Sequence, residues 1–413
     1  MRFIYNISIW LYFFAITVAS LFNDKAKLWL KGRKGIFDKI KISLTGNDNI
    51  IWFHCSSLGE FEQGRPLLEK IKSEYPKYKI LLTFFSPSGY EIRKNYEKTD
   101  YIFYLPLDTI SNAKKFVELV NPQIAVFVKY EFWFNYISEL HKRNIPIYSV
   151  SSIFRKNQYF FKIHGIWALQ QLKKISCFFV QDEKSKELLG TLGIINVIVS
   201  GDTRFDRVYE ISKNVKKFPV IEAFRQNKKI LIAGSIWQKE EEFLIKLINE
   251  SEFDIKYIIA PHLIKTENID NFISKISLKA IKFSEATTEN VVAPKVMLID
   301  GIGFLSHLYQ YGTLALIGGG FGKGIHNILE PATFGLPVFF GPNYTKFNEA
   351  KELLKCGGAY SITDFQNLNE KLSCLLNNEE ALKRNSYICL NYVDNRKGAT
   401  DIILKYIEKN IKF

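Results

Sequence analysis

The sequence predicts an α/β chain of two doubly wound, parallel-sheet domains behind an apolar N-terminal helix. Three observations carry the prediction. Short β-branched and aromatic runs alternate with amphipathic stretches, the βαβα order of parallel sheets covered on both faces. Strand signals lapse and charges gather around Tyr209–Asn227, which marks a boundary. Phe3 to Phe22 contains no charged residue. The chain has 413 residues, 47% hydrophobic and 24% charged. That balance excludes a mostly disordered chain and a multi-span membrane protein.

The apolar run comes first. Twenty helical residues at ~1.5 Å each would cross a hydrocarbon core of ~30 Å. Lys25, Lys27, Lys31, Arg33, Lys34, Lys39 and Lys41 follow, against Asp24 and Asp38. That load predicts that the remainder lies on the cytoplasmic side and offers contacts to acidic lipid. A cleaved signal peptide has a similar apolar run, but only Arg2 precedes it. A helix lying on the membrane or buried in the fold is the other reading.

Predicted strands are Ile50–His54, Lys79–Phe84, Ile124–Val128, Ile147–Ser151, Cys177–Gln181 and Asn196–Ser200, then Lys229–Ala233, Lys256–Ala260, Val296–Leu298, Leu314–Gly318 and Pro337–Phe340. Helices are expected between them, for example from Pro66 to Tyr75 and from Lys239 to Ile248. The expected layout is an anchor over 1–24, Rossmann-like domains over 25–212 and 225–390, and a C-terminal helix over 391–413. Two such domains facing each other would form a cleft, with ligands at the carboxyl ends of strands.

The formal net charge of +14 favours anionic partners. Five scattered cysteines without a CxxC pair oppose a disulfide framework. Neither HExxH nor a DxD pair occurs, so no metal or cofactor is expected.

Five blocks follow strand ends. His54-Cys55-Ser56-Ser57-Leu58-Gly59-Glu60 puts a carboxylate at the start of a helical region, suited to a general base or to capping. Thr83-Phe84-Phe85-Ser86-Pro87-Ser88-Gly89 is strand, polar turn, helix. Lys129-Tyr130-Glu131-Phe132-Trp133 brings a second carboxylate beside Trp133. Ser200-Gly201-Asp202-Thr203-Arg204-Phe205-Asp206 offers Arg204 to a phosphate, or to a surface pair with Asp206. The fifth block runs from Gly318 to Ala332. It is neither a Walker A loop nor GxGxxG. Its glycine amides, and a helix starting at Pro331 capped by Glu330, would attract a phosphate, and Glu330 suits ribose hydroxyls. Ala260-Pro261-His262 and Asp300-Gly301-Ile302-Gly303 are weaker companions. The basic and aromatic stretch Phe154–Lys162 suits an acidic glycolipid or headgroups better than nucleic acid, and no nucleic-acid partner is expected.

In this order, HCSSLGE, FFSPSG, YLPLD (Tyr104–Asp108), YEFWFN, SGDTRFD, AGSIWQKEEE (Ala233–Glu242) and GIHNILEPATFGLPVFFGP resemble the blocks of the 3-deoxy-D-manno-octulosonic acid (Kdo) transferase family. The likeness runs to about residue 390. It implies a GT-B fold and a CMP-Kdo donor, with Kdo passed to a glucosamine hydroxyl of the lipid A precursor. Carried over by motif, Glu60 resembles the catalytic base, and Glu131 and Arg204 match positions that stabilise the transition state. Pro261, His262, Ile302, Gly303, Phe304, Asn327, Ile328, Leu329 and Glu330 fall where the family binds CMP.

The pattern departs in places. Lys129 stands where the family usually has Glu, and Arg204 replaces a usual Lys. His262-Leu263-Ile264-Lys265 replaces an Arg-rich stretch, and Ser151-Ser152-Ile153-Phe154-Arg155 replaces an Asn-Ala-Arg block. Two other readings stay open: a UDP-sugar transferase or epimerase of similar fold, and a non-catalytic membrane-tethered protein that binds acidic lipid.

Overall fold

The structure is a computed structural model that describes residues 1–44, 46, 48–162 and 165–410. The chain divides into two compact units. The first is Met1–Arg207 together with the chain from Lys397 onward, and the second is Val208–Arg396. The division falls inside the helix Thr203–Lys213, and the last helix, Ala399–Asn410, belongs with the first unit. Residues 411–413 of the expected C-terminal helix lie outside the described residues.

Among the described residues the first unit holds seven strands: β1 Ile50–Cys55, β2 Lys79–Phe84, β3 Tyr101–Tyr104, β4 Ile124–Val128, β5 Ile147–Ser152, β6 Cys177–Val180 and β7 Val197–Val199. Their order is β3-β2-β1-β4-β5-β6-β7. All pairings are parallel. The strands are buried on both faces, as parallel sheets require. Trp52, Leu81 and Phe127 pack into one core, while Ile51, Phe53 and Leu82 pack into another.

The second unit repeats the plan with β8 Lys229–Ile236, β9 Ile255–Pro261, β10 Ala280–Lys282, β11 Val296–Leu298, β12 Leu314–Ile317, β13 Val338–Phe340 and β14 Ala359–Ser361. Its order is β10-β11-β9-β8-β12-β13-β14, again parallel. Strand order reverses between β1 and β4 in the first sheet and between β8 and β12 in the second. Open α/β sheets bind ligands beside such points.

Three strands were not expected from the sequence: β3, β10 and β14. Each is an edge strand of three or four residues. Runs that short carry little pattern of their own and form by adding to a finished neighbour.

The N-terminal helix is Arg2–Ala19, 18 residues, not the run from Phe3 to Phe22. Asn23 ends the run because its side chain caps the next helix, Asp24–Arg33, accepting from the amides of Lys25 and Ala26. One stripe of the first helix is docked on its own unit. Tyr5 donates to Asp108, Asn6 accepts from the Asn135 amide at 2.9 Å, and Ile9 packs with Trp29 and Leu107. Phe3, Trp10, Leu11 and Phe14 on the remaining surface are exposed.

Arg33 differs from the expected lipid-facing role. Its guanidinium donates inward to the carbonyls of Trp29, Phe85 and Leu105, over the Trp29 ring at 3.7 Å. Burial lowers its pKa to about 9, so it stays cationic at neutral pH. The planar five-donor fork lets one Arg satisfy three carbonyls. Lys25, Lys27, Lys31, Lys34, Lys39 and Lys41 are exposed.

Candidate active site

Two carboxylates stand beyond the carboxyl ends of neighbouring strands. β1 leads into the helix Leu58–Glu74, which starts eight residues before the expected Pro66. Pro66 suited a helix start, yet the helix carries it internally. Ser57 is the N-cap, and its hydroxyl donates to Glu60 in the first turn. The helix lies close to β4, because a Cβ on Gly64 would meet the Val128 side chain at 2.8 Å. After β4, Lys129 takes a left-handed φ of 62°. Its carbonyl accepts from Ser152 at 3.0 Å, and the turn that follows presents Glu131.

Glu131 meets an indole and a buried imidazole. Trp133 Nε1 donates to its Oε2 at 2.8 Å, and His54 Nε2 lies 3.4 Å from the same oxygen. Glu60 and Glu131 both act on the buried Cys55 thiol. Burial first, then the charges of Glu60, Glu131 and Glu62, push that thiol well above its usual range. Cys55 is therefore no nucleophile at neutral pH.

Arg204 sits at the start of the helix Thr203–Lys213. It pairs with Asp202, Nε to Oδ2 at 2.9 Å and Nη2 to Oδ2 at 2.7 Å. Asp206, the alternative partner expected from the sequence, is held by other donors in the C-terminal segment, accepting from the Gly398 amide and from the amide and hydroxyl of Thr400, the latter two at 2.7 Å. Thr203 ties this helix to the Glu60 helix by donating to the Gln63 carbonyl at 2.5 Å.

In the second unit the candidate residues fall around a three-ring stack. Trp237, just beyond β8, stacks on His262 at 4.2 Å, and His262 stacks on His326 at 4.7 Å. Trp237 Nε1 donates to His326 Nε2 at 2.9 Å. Burial lowers the pKa of both histidines, and His262 lowers that of His326 further. Two neutral imidazoles can stack where two cations would repel. Cavities of ≈430 Å³ and ≈480 Å³ lie beside Trp237, the first lined also by Pro261 and Leu263, the second by Gly322, Lys323 and His326. Trp237 and His326 were not assigned binding roles from the sequence. Their position just past β8 and within the glycine block was the available signal.

The glycine block differs from the expected phosphate cradle. Gly318 and Gly320 are glycine because backbone packs on backbone there: a Cβ would lie 2.1 Å from the Ser235 carbonyl and 2.4 Å from the Gly341 amide. The amides of Gly318, Gly322, Gly324 and His326 are bonded to nearby carbonyls. Those of Gly319 and Phe321 face the buried Glu240 carboxylate. The following helix also differs. It spans Leu329–Ala332, so Pro331 is its third residue and Glu330 its second. A helix of one turn has almost no dipole to offer an anion.

Asn327, just before that turn, accepts from the Leu329 amide and donates to Glu330 Oε1, both at 3.1 Å. Ile328 and Leu329 are buried and can offer a ligand backbone only. Ile302 is 90% exposed, Gly303 has φ 88°, and Phe304 packs on Phe283 at 5.0 Å. Among the described residues no group of three His, Cys, Asp or Glu is placed to hold a metal ion.

Comparison with known proteins decides the family. Residues 30–207 match the family described as 3-deoxy-D-manno-octulosonic-acid transferase (kdotransferase). The 3-deoxy-D-manno-octulosonic acid transferase of Aquifex aeolicus is 31% identical over 355 residues, which span 83% of this chain and 90% of that protein. The chain belongs to the Kdo transferase family. The Haemophilus influenzae transferase is 26% identical, over 87% of this chain and 88% of its own. Among solved structures, the UDP-GlcNAc 2-epimerase of Neisseria meningitidis has a TM-score of 0.60 at 15% identity, covering 87% of this chain and all of that one. MurG of Acinetobacter baumannii has 0.54 at 11%, covering 88% and 99%. These two show the fold, a GT-B-type chain of two doubly wound units. As a Kdo transferase family member, the chain is a glycosyltransferase that acts in lipopolysaccharide core biosynthesis.

Proposed function

We propose that this chain moves Kdo from CMP-Kdo to a glucosamine hydroxyl of the lipid A precursor, with inversion at the anomeric carbon. The observation that carries the reading is the pair Glu60 and Glu131, placed beyond adjacent strands where the order of the first sheet reverses. Glu60 takes the proton of the acceptor hydroxyl as its oxygen bonds to the anomeric carbon. The bond from that carbon to the phosphate oxygen breaks, and CMP leaves with the electron pair. Glu131 offsets the positive charge that develops on the sugar, and Arg204 meets the charge of the departing phosphate.

The second unit is read as the nucleotide holder. Pro261 and His262 serve with the ring stack, Ile302, Gly303 and Phe304 through their loop, Asn327, Ile328 and Leu329 through backbone or amide, and Glu330 through ribose hydroxyls. The outward apolar surface of the helix Arg2–Ala19 and the exposed lysines after it support placing the protein on an acidic inner membrane, its units on the cytoplasmic side. The test is product mass. With CMP-Kdo and lipid IVA, the acceptor gains the mass of Kdo. Consumption of a UDP-sugar in place of CMP-Kdo would overturn the reading.

A further inference from the structure

Behind Glu131 lies a buried polar chain that the transfer chemistry above does not use. Thr83 on β2, His54 and Trp52 on β1 are fully buried. An indole nitrogen can only donate, and Trp52 Nε1 donates to Thr83 Oγ1 at 2.8 Å. The hydroxyl proton of Thr83 must then go elsewhere. Two acceptors are in reach: His54 Nδ1 at 2.9 Å and the Phe53 carbonyl at 3.4 Å. The shorter contact goes to the ring. In a neutral imidazole the accepting nitrogen has no proton, so the proton sits on Nε2.

Trp133 Nε1 can donate to His54 Nε2 at 3.0 Å or to Glu131 Oε2 at 2.8 Å; the shorter contact goes to the carboxylate, which also lies 3.4 Å from His54 Nε2. Two N–H groups cannot bond each other, and both have Oε2 before them, the indole at 2.8 Å. The opposite tautomer would turn an imidazole lone pair toward a carboxylate where water has no access, which is unfavourable.

We propose that Thr83 is a positioning residue: it fixes His54 in the Nε2–H tautomer, which with Trp133 engages Oε2 of Glu131 and aims Oε1 at the reacting sugar. The tautomer is inferred from the shorter contact at each end of the chain, Thr83 to His54 over the Phe53 carbonyl and Trp133 to Glu131 over His54, while the catalytic consequence rests on the reading of Glu131 given above. Neither Thr83 nor His54 touches substrate in this account.

Histidine-selective nitrogen NMR of the full chain tests the tautomer, with the His54 signals assigned by their loss in His54→Gln. An unprotonated Nδ1 and a protonated Nε2 are expected. Thr83→Val, nearly equal in shape, should lower kcat for Kdo transfer about tenfold or more, the scale for losing an orienting partner. KM for CMP-Kdo should stay within about twofold and Thr83→Ser should restore kcat, since neither change touches the nucleotide. A protonated Nδ1 in the unsubstituted protein overturns the proposal, as does a folded Thr83→Val with full kcat. If Thr83→Val does not fold, the nitrogen spectrum of the unsubstituted protein decides alone. Absence of Kdo transfer by the unsubstituted protein would sink the functional reading instead and leave the tautomer result standing.

Discussion

The two units reverse strand order at equivalent places, yet they put opposite chemistry there. Beyond β1 and β4 the first unit gathers carboxylates, with Glu131 held by Trp133 and backed by the buried His54 and Thr83. Beyond β8, β9 and β12 the second unit gathers neutral rings and backbone, with Trp237, His262 and His326 stacked beside a loop in which the amides of Gly318, Gly322, Gly324 and His326 are engaged. Topology therefore decides where a site forms, and side-chain type decides what it does. The first arrangement suits moving a proton and opposing a developing charge. The second suits holding a flat, polar ligand without competing for its charge.

This division of labour can be broken from either side. The largest effect is expected from Glu60→Gln, which removes the proposed base at almost unchanged shape. Turnover should fall by ~10²–10⁴-fold, with CMP affinity by calorimetric titration unaltered. A parallel loss of affinity would show that the first unit also binds the nucleotide. Trp237→Ala should do the reverse. Loss of the end ring and of the His326 bond should weaken CMP about tenfold, the scale of one base–aromatic contact. The value of kcat at saturating donor should change little.

Two smaller effects sharpen the contrast. Glu330→Ala removes the acceptor of the Asn327 amide and the proposed ribose contact, and should weaken CMP by about fivefold, one ordinary hydrogen bond. Calorimetry with CMP and with a 2′-deoxy analogue checks this, since the substituted protein should no longer distinguish them. The last concerns pH. His262 and His326 have folded pKa values lowered from 6.5. The unfolded chain takes up protons first as the pH falls, so their contribution to stability is full above 6.5. It is lost as the pH drops through the lowered folded values. Thermal unfolding of His326→Gln, which keeps an acceptor for Trp237, should therefore depend less steeply on pH between 7 and 5 than that of the parent. An equal slope would show that the stack does not couple to protonation.

Much of this was legible in one dimension. Eleven strands of the two sheets announced themselves through β-branched runs, because strands buried on both faces need long apolar stretches. The blocks that carry Glu60, Glu131 and Arg204 were visible because each follows such a run. Three of the four edge strands were not, since β3, β10 and β14 are defined by a neighbour rather than by their own residues, whereas the edge strand β7 was. The glycine block misled in a particular way. Glycine allows either an amide cradle or the close approach of two backbone segments, and only the distances at Gly318 and Gly320 distinguish these. Arg33 was misplaced for a similar reason. A basic residue in a basic run looks solvated until three carbonyls are found around it.

Local order, then, is what the residues dictate unaided: the alternation of strand and helix, the apolar lead-in, and the chemistry available at each strand end. Partnership is what folding adds. Thr83, His54 and Glu131 are far apart in the chain, as are Trp237, His262 and His326, and no spacing rule joins them. They meet because each parallel crossover returns the chain to the same edge of its sheet, so side chains many residues apart arrive together at the carboxyl ends of neighbouring strands.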